Sequence, residues 1–227
     1  VEALKSSGAA QAGKVEERRA KWTAEHGRLQ ERSRAAVEEA RAKQPIDPVW
    51  LCAAITEVMP SDTVYAEETT SHRGAVLQHV GWEEPQRYLH PTGGLGQGLG
   101  LALGAKLARP DSPVVALMGD GGFLYNPVTQ SFGVAGEANL PFMTVVFNNG
   151  NYEAMRRNHL QYYPDGVASK SDLWHGVYIP GPNYAKLVEP FDGYGERVED
   201  PAKLKQALQN GLDAVQNGQL ALIDVVL

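Results

Sequence analysis

The sequence contains one cysteine, Cys52, among its 227 residues. A single cysteine excludes an internal disulfide and any metal site built from several cysteines. Cys52 lies in the apolar segment WLCAAI, where a small buried residue is the interpretation we favour. The sequence also lacks a run of eighteen apolar residues, so we predict no membrane span. The opening residues, VEALKSSGAAQAGK, lack the apolar centre of a signal peptide, and we expect a cytoplasmic location.

The net charge of −6 is unevenly distributed along the chain. Residues 1–45 hold ten Lys or Arg against seven Asp or Glu, whereas the remainder holds eleven against twenty. An acidic main body argues against a nucleic-acid partner, because such binding depends on neutralising phosphates. The chain begins at Val1 rather than at a methionine. We therefore expect a piece of a longer protein, with a natural split subunit as the alternative.

A change of composition near residue 45 predicts two parts. Residues 15–43 are rich in helix formers and charge, which predicts a long exposed helix with a thin apolar stripe. Asp47 can then cap a new helix that has Pro48 at its first position. We place the domain boundary there, with a helical segment over 1–45 and the main domain over 46–227.

Apolar strands alternate with amphipathic helices beyond the boundary. This alternation predicts a three-layer α/β/α fold with a mostly parallel central sheet, preceded by the long N-terminal helical segment. We expect an irregular chain from 68 to 90 and a loop over 162–182. The predicted strands are 63–67, 114–118, 142–147 and 221–226, with a strand-like segment at 195–200. The predicted helices are 48–58, 95–108, 127–138 and 201–216, with a helical piece that begins near 151 and a short helix near 184–191.

Two oxygen-bearing motifs follow neighbouring predicted strands. Gly119, Asp120 and Gly121 follow the first strand, and Asn148 and Asn149 follow the second after 26 intervening residues. Parallel strands end at the same edge of a sheet, and open α/β sheets bind ligands at that edge. Acid, amide and carbonyl oxygens suit Mg²⁺ or Ca²⁺ that is also held by a phosphate group.

The glycine-rich segment TGGLGQGLG, Thr92–Gly100, contains no match to the dinucleotide-binding pattern G-x-G-x-x-G. A Walker A sequence is absent as well. Two interpretations of these glycines stay open, namely close helix packing and close approach of the backbone to a flat or anionic ligand.

Together these motifs resemble the cofactor domain of thiamine-diphosphate enzymes, and within that group they resemble benzoylformate decarboxylase and the acetolactate synthase large-subunit group. Three segments match in order, and the resemblance covers roughly residues 45–227. They are VYAEETTS at 64–71, the segment from TGGLGQGLG to GDGG at 92–122, and NLPFMTVVFNNGNYEAMR at 139–156.

The resemblance implies a set of site residues. The Mg²⁺ ligands would be Asp120, the side chain of Asn149 and the main-chain carbonyl of Asn151, completed by two diphosphate oxygens and a water. Asn148 would brace the turn. The resemblance also implies that thiamine diphosphate contacts a larger group of residues: Thr70, Ser71, Gly93, Gly94, Leu95, Gly119, Gly121, Gly122 and Asn149. An ordinary core leucine is the alternative for Leu95.

Catalytic and substrate residues are less well defined. The resemblance implies an activating glutamate on a pyrimidine-binding domain that this sequence does not match, so the chain would be half of an active site. His72 and His90 are weak catalytic candidates, with a structural role as the alternative. Tyr152 and Met155 would line the substrate pocket, with core packing as the alternative.

The resemblance implies a 2-oxo acid decarboxylase or carboligase, active as a dimer or tetramer of domain pairs. The pyrimidine-binding partner would be a domain or a separate subunit, and the helical segment 1–45 would be a linker or the tail of a middle domain. The alternatives are a C–C lyase of 2-hydroxyacyl-CoA or acyloin substrates and a non-catalytic cofactor-domain homologue. We expect a small-molecule substrate and neither a nucleic-acid nor a membrane partner.

Overall fold

The computed structural model describes residues 1, 2 and 12–227, which divide into two compact units, Val1–Glu39 and Ala40–Leu227. The first unit contains most of helix α1, Ala12–Ala40. The long N-terminal helix predicted at 15–43 is therefore confirmed, with both ends three residues earlier. The domain boundary at residue 45 stays a prediction, and residues 3–11 of that segment lie outside the described ones. None of the helices in the described part of the chain combines the length and apolar character needed to cross a membrane.

The second unit is built on a six-stranded parallel sheet of order β2-β1-β3-β4-β6-β5. Central strands such as VVALMG and MTVVFN are buried at every position, as expected for a sheet covered on both faces. The predicted three-layer fold is confirmed. The strand bounds are β1 Val64–Glu68, β2 Tyr88–Leu89, β3 Val114–Gly119, β4 Met143–Asn148, β5 Tyr194–Val198 and β6 Ala221–Val226.

Eight further α-helices and three 3₁₀ segments are found in the described part of the second unit. The first helix begins as predicted, because Asp47 Oδ1 accepts from the Val49 amide (2.9 Å) and Pro48 needs no amide partner. The helices are α2 Pro48–Val58, α3 Arg73–His79, α4 Gly98–Ala108, α5 Asp120–Tyr125, α6 Val128–Glu137, α7 Glu153–Tyr162, α8 Val167–Ser171 and α9 Leu204–Gln216. The 3₁₀ segments are Thr70–His72, Pro85–Arg87 and Tyr184–Phe191.

Three regions differ from the prediction, one of them being the six-residue helix α5, which is not among the predicted helices. The stretch predicted as irregular, 68–90, contains helix α3 and the two-residue strand β2, and the loop predicted over 162–182 contains helix α8. Helix α3 has no side-chain cap, and β2 pairs with β1 over only two residues. Elements this short and uncapped carry too little periodicity to be read from sequence.

The buried core lies on both faces of the sheet. Four large side chains, Phe123, Phe132, Phe142 and Tyr184, are fully buried in one cluster with the small residues of α4. Cys52 is fully buried in α2, which confirms its interpretation as a small core residue. This packing leaves the carboxyl edge of β1, β3 and β4 to carry the polar motifs.

Candidate functional site

Strands β3 and β4 end side by side, with Gly119 paired to Phe147, so the residues that follow them meet. Asp120 is 3% exposed, and its two carboxylate oxygens accept from the Gly121 amide (2.8 Å) and the Gly150 amide (2.7 Å). Burial raises the pKa of Asp120 to about 6; the two amides oppose this shift and the carboxylate of Asp224 adds to it. The chain therefore holds a fixed, buried acid at this edge.

The two asparagines at the carboxyl end of β4, Asn148 as its last residue and Asn149 just after it, have different roles. Asn148 is buried and donates from Nδ2 to Asp224 Oδ1 (2.8 Å), so it braces the strand end. Asn149 Oδ1 accepts from the Asn151 amide (3.0 Å), and Asn151 Nδ2 donates to the Asn149 carbonyl (2.8 Å). This tight turn brings Asn149 and Asn151 to the same cavity as Asp120.

The cavity at this edge gathers most of the predicted site residues. It is lined by Thr69, Thr70, Ser71, His72, Leu95, Gly119, Asp120, Gly121, Gly122, Asn149, Asn151, Tyr152, Glu153, Ala154 and Met155. Gly93, Gly94 and His90 of the predicted set do not line it.

The donor set fits Mg²⁺ held jointly with a phosphate group. In the described residues, no cluster of three or more His, Cys, Asp or Glu side chains is arranged to hold a metal alone. Asp120, Asn149 and Asn151 instead offer one acid and neutral oxygens, and a carboxylate has more acceptor positions than its two amide partners occupy. Mg²⁺ typically binds one or two carboxylates and completes its shell with phosphate oxygens and water.

The segment after β1 is held in an unusual conformation. Thr70 has φ +48°, in the left-handed region that β-branched residues rarely adopt. The buried carboxylate of Glu67 accepts from both the amide and the hydroxyl of Thr69, which fixes the chain just before this position. The result is that Thr70 and Ser71 lie at the cavity wall.

The glycine-rich segment is used for close helix packing, one of the two interpretations left open by the sequence, and close approach to a ligand stays a prediction. A Cβ at Gly98 would lie 2.6 Å from Met118 Sδ, so this glycine allows close packing of α4 on β3. Gly93 and Gly94 have φ +76° and +78° and lie in an exposed turn. Leu95 follows them, is 46% exposed and lines the cavity, so it is not an ordinary core leucine.

The glycines after β3 allow close packing beneath the cavity. A Cβ at Gly121 would lie 2.7 Å from the Tyr152 ring, and one at Gly122 would lie 3.1 Å from the Glu68 carbonyl oxygen. The Gly121 amide is engaged by Asp120 in this structure. Substitution at these positions would therefore move neighbouring groups of the site.

The two histidine candidates occupy different environments. His72 lines the cavity, and its Nε2 lies 3.2 Å from Asn149 Nδ2. Burial, helped by the nearby Arg157, lowers the pKa of His72 to about 4, so its ring is neutral at neutral pH. His90 lies outside the cavity lining, with Nδ1 2.8 Å from the buried carboxylate of Glu67. That contact gives His90 a structural role.

Tyr152 and Met155, predicted for a substrate pocket, both line the cavity. Met155 is 64% exposed, which rules out core packing as its main role. Glu153 between them binds Arg156 (2.8 Å) and Arg157 (3.1 Å). The hydrogen bond from Arg156, with a smaller effect from Arg157, holds the pKa of Glu153 below its usual range, although partial burial acts in the opposite direction. This carboxylate is therefore ionised.

Sequence reasoning missed the structural roles of Glu67, Glu68 and Asn126. Glu67 is bound by the Tyr88 hydroxyl (2.9 Å) as well as by His90 and Thr69. Glu68 accepts from backbone amides of the glycine-rich segment and from Asn126. Two acids at the end of a strand give no sequence signal of these contacts, because every donor except Thr69 lies 20 or more residues away.

Comparison with known proteins agrees with this geometry. Residues 68–225 match the family described as thiamine pyrophosphate enzyme, C-terminal TPP binding domain. The match spans most of the chain, from the end of β1 to β6. The chain belongs to this family and carries its thiamine-diphosphate-binding domain, as the resemblance implied.

Three similar proteins each match three quarters or more of this chain. The chain is 32% identical to benzoylformate decarboxylase of Pseudomonas aeruginosa over 75% of this chain and 31% of the relative. It is 36% identical to 2-hydroxyacyl-CoA lyase of Oryza sativa subsp. japonica over 77% of this chain and 29% of the relative. It is 26% identical to acetolactate synthase isozyme 3 large subunit of Escherichia coli over 86% of this chain and 33% of the relative.

A solved structure shows the same fold. The thiamine-diphosphate-dependent 4-hydroxybenzoylformate decarboxylase of Rhodococcus jostii RHA1 superposes with a TM-score of 0.70 at 29% identity, over 81% of this chain and 33% of that one. The chain thus spans about a third of the length of the relatives it matches.

Proposed function

We propose that this chain is the diphosphate- and Mg²⁺-binding part of a thiamine-diphosphate-dependent 2-oxo acid decarboxylase or carboligase. The observation that carries the proposal is the meeting of Asp120, Asn149 and Asn151 at one sheet edge, beside Thr70 and Ser71. Bound thiamine diphosphate would supply the electron sink for cleaving a bond to a carbonyl carbon. The relatives that decarboxylate 2-oxo acids support this reaction class.

The chain's own residues would bind and orient the cofactor. Asp120 is held by two backbone amides before any ligand arrives, so it needs little reorganisation to accept a metal ion. Asn149 and Asn151 would supply neutral oxygens to the same ion. Thr70 and Ser71 would donate hydroxyl hydrogen bonds to diphosphate oxygens, and Leu95 would support the cofactor from the apolar side of the cavity.

A second domain would complete the site. The cavity has a volume of about 100 Å³, which is small against the roughly 300–1,000 Å³ of typical ligand pockets. Glu153 in its wall is paired with two arginines, which suits it poorly to giving up a proton. We infer that a pyrimidine-binding domain supplies the activating glutamate and that the active form is an oligomer of domain pairs, the chain alone being inactive.

A C–C lyase acting on 2-hydroxyacyl-CoA or acyloin substrates is the second candidate. The 36% identity to the rice lyase favours it. The two candidates share the metal and diphosphate site and differ in the substrate. Release of CO₂ from a 2-oxo acid, compared with cleavage of a 2-hydroxyacyl-CoA, separates them when the chain is assayed with its pyrimidine-binding partner.

The proposal includes a cytoplasmic location and a small-molecule substrate. The lone Cys52 is buried and forms no disulfide, as is common in reducing compartments. The acidic balance of residues 46–227 fits a small-molecule ligand better than a nucleic acid.

Calorimetric titration of thiamine diphosphate into this chain tests the binding part of the proposal. We expect binding that requires Mg²⁺, disappears in Asp120→Ala, and persists in Asp111→Ala, which removes an exposed acid from the turn before β3. Binding that ignores Mg²⁺, or survives Asp120→Ala, would contradict the assignment. The fold should persist in both variants, which circular dichroism checks.

A further inference from the structure

We propose that Glu68 is a positioning residue whose buried carboxylate fixes the glycine loop, defined here as Gly93–Gly98, and thereby holds Leu95 in the cavity. The inference rests on the proposed function, because it explains how this chain shapes its cofactor site. Glu68 does not line the cavity, so its effect would pass through the loop.

The carboxylate of Glu68 binds three consecutive backbone amides. Oε1 accepts from Gly96 (2.6 Å), and Oε2 accepts from Gly98 (2.7 Å) and Gln97 (3.2 Å). The side chain is 2% exposed, so these contacts are shielded from water. Hydrogen bonds from backbone amides to an ionised acceptor are shorter and stronger than neutral ones. Glu68 thus fixes the end of the loop next to α4.

Asn126 extends this anchor to the turn after β3. Its Nδ2 donates to Glu68 Oε2 (3.0 Å) and to the Gly122 carbonyl (2.9 Å), while its Oδ1 accepts from the Leu99 amide (3.0 Å). Glu68 and Asn126 together connect the glycine loop, the start of α4 and the turn that carries Asp120.

Helix α4 needs this help because it has no cap of its own. Gln97, at its N-cap position, makes no side-chain capping bond. The first amides of a helix lack intrahelical partners, and here Gly98 and Leu99 find theirs in Glu68 and Asn126. The partial positive charge of the helix start also favours a carboxylate at that place.

The loop would not keep its shape unaided. Gly93, Gly94 and Gly96 have φ of +76°, +78° and +90°, and glycine gives up more conformational freedom on ordering than any other residue. One internal bond, from Gln97 Nε2 to the Gly93 carbonyl (2.8 Å), closes the loop. The other side-chain hydrogen bonds to the loop come from Glu68, and Asn126 fixes the adjoining start of α4.

Amide hydrogen exchange of the full chain, followed by NMR, tests this role. In Glu68→Gln we expect the amides of Gly96 and Gly98 to exchange about 10- to 100-fold faster, the range expected for losing a bond to a charged acceptor. Asn126→Ala should accelerate hydrogen exchange at the Leu99 amide, while the hydrogen bond between Glu68 and the Gly96 amide stays in place. The control is Leu208→Ala, which removes a fully buried side chain of α9 away from the site and lowers stability without touching the loop.

A ligand-binding arm separates positioning from general support of the fold. If the loop is ordered about a tenth of the time in Glu68→Gln, its dissociation constant for thiamine diphosphate at saturating Mg²⁺ rises about tenfold. Leu208→Ala should bind like the parent while still folded. Saturating cofactor should restore the slow exchange of Gly96 and Gly98 in Glu68→Gln, which a purely structural defect would not show.

Each possible outcome of these two experiments either supports or overturns the positioning role of Glu68. Unchanged exchange at Gly96 and Gly98, or acceleration spread evenly over the β3 and β4 amides, would overturn the positioning role of Glu68. Faster loop exchange with unchanged cofactor affinity would overturn it too. If the unmodified chain shows no response to Mg²⁺ and thiamine diphosphate, the proposed function fails. The exchange comparison then still decides whether Glu68 orders the loop.

Discussion

The buried acid Asp120 should make the ligand-free chain less stable as pH rises. Its pKa is raised from 3.8 to about 6, chiefly by burial, so the folded chain holds this proton more tightly than the unfolded chain does. The stability contributed by protonated Asp120 is present below about pH 4 and is lost as pH rises through about 6. Asp120→Asn is the variant to compare with the parent, because it keeps the shape of the protonated acid and cannot ionise.

The size of the effect follows from the two pKa values. A rise from 3.8 to about 6 corresponds to about 3 kcal/mol between the ionised and protonated forms. The difference in free energy of unfolding between Asp120→Asn and the parent should therefore increase by about 2–3 kcal/mol from pH 4 to pH 7.5. In Asp120→Asn the NH₂ group of the new side chain must face the backbone N–H of Gly121 or Gly150. This cost is the same at both pH values, so it cancels in the comparison.

Urea unfolding of both chains at a series of pH values measures this difference. Groups that do not interact with Asp120 titrate equally in the two chains and drop out, whereas the nearby Asp224 contributes a smaller change of its own. A difference that stays constant with pH, or that decreases as pH rises, would refute the reasoning.

Three further predictions concern neighbouring groups. Gly121→Ala would bring a Cβ to 2.7 Å from the Tyr152 ring; calorimetry should show cofactor affinity reduced about tenfold, with stability lowered by under about 1 kcal/mol. Asp224→Ala leaves Arg197 without its buried partner, so urea unfolding should show a loss of about 3 kcal/mol, against little change for Glu199→Ala. The ring of His72, with its pKa lowered to about 4, should show no NMR titration between pH 8 and about pH 5.5, and a midpoint near 6.5 would contradict its burial.

The sequence predicted the parts of the fold that long apolar patterns control. Strands β3, β4 and β6 are mainly apolar runs that contain many β-branched residues, and α2 has both its capping aspartate and its initial proline. The short elements escaped prediction, because α3, β2 and α8 are each seven residues or fewer and depend on tertiary contacts. Their sequences alone do not favour one structure strongly.

The same division applies to the candidate site. Asp120 and Asn149 could be placed because each follows a predictable strand, and parallel strands bring their carboxyl ends together. Glu67 and Glu68 could not be distinguished, since they are adjacent and identical. Successive side chains in a strand point to opposite faces, so one acid reaches Tyr88 and the other reaches the glycine loop. That choice is set by the fold.

Paramagnetic NMR with Mn²⁺ in place of Mg²⁺ tests the central claim most directly, because it detects weak binding. In the presence of thiamine diphosphate, we expect Mn²⁺ to broaden the amide signals of Gly121, Gly150 and Asn151 first. This broadening should require both the metal and the cofactor and should disappear in Asp120→Ala. Broadening centred elsewhere in the chain, or unchanged in Asp120→Ala, would contradict a metal site at the carboxyl edge of β3 and β4.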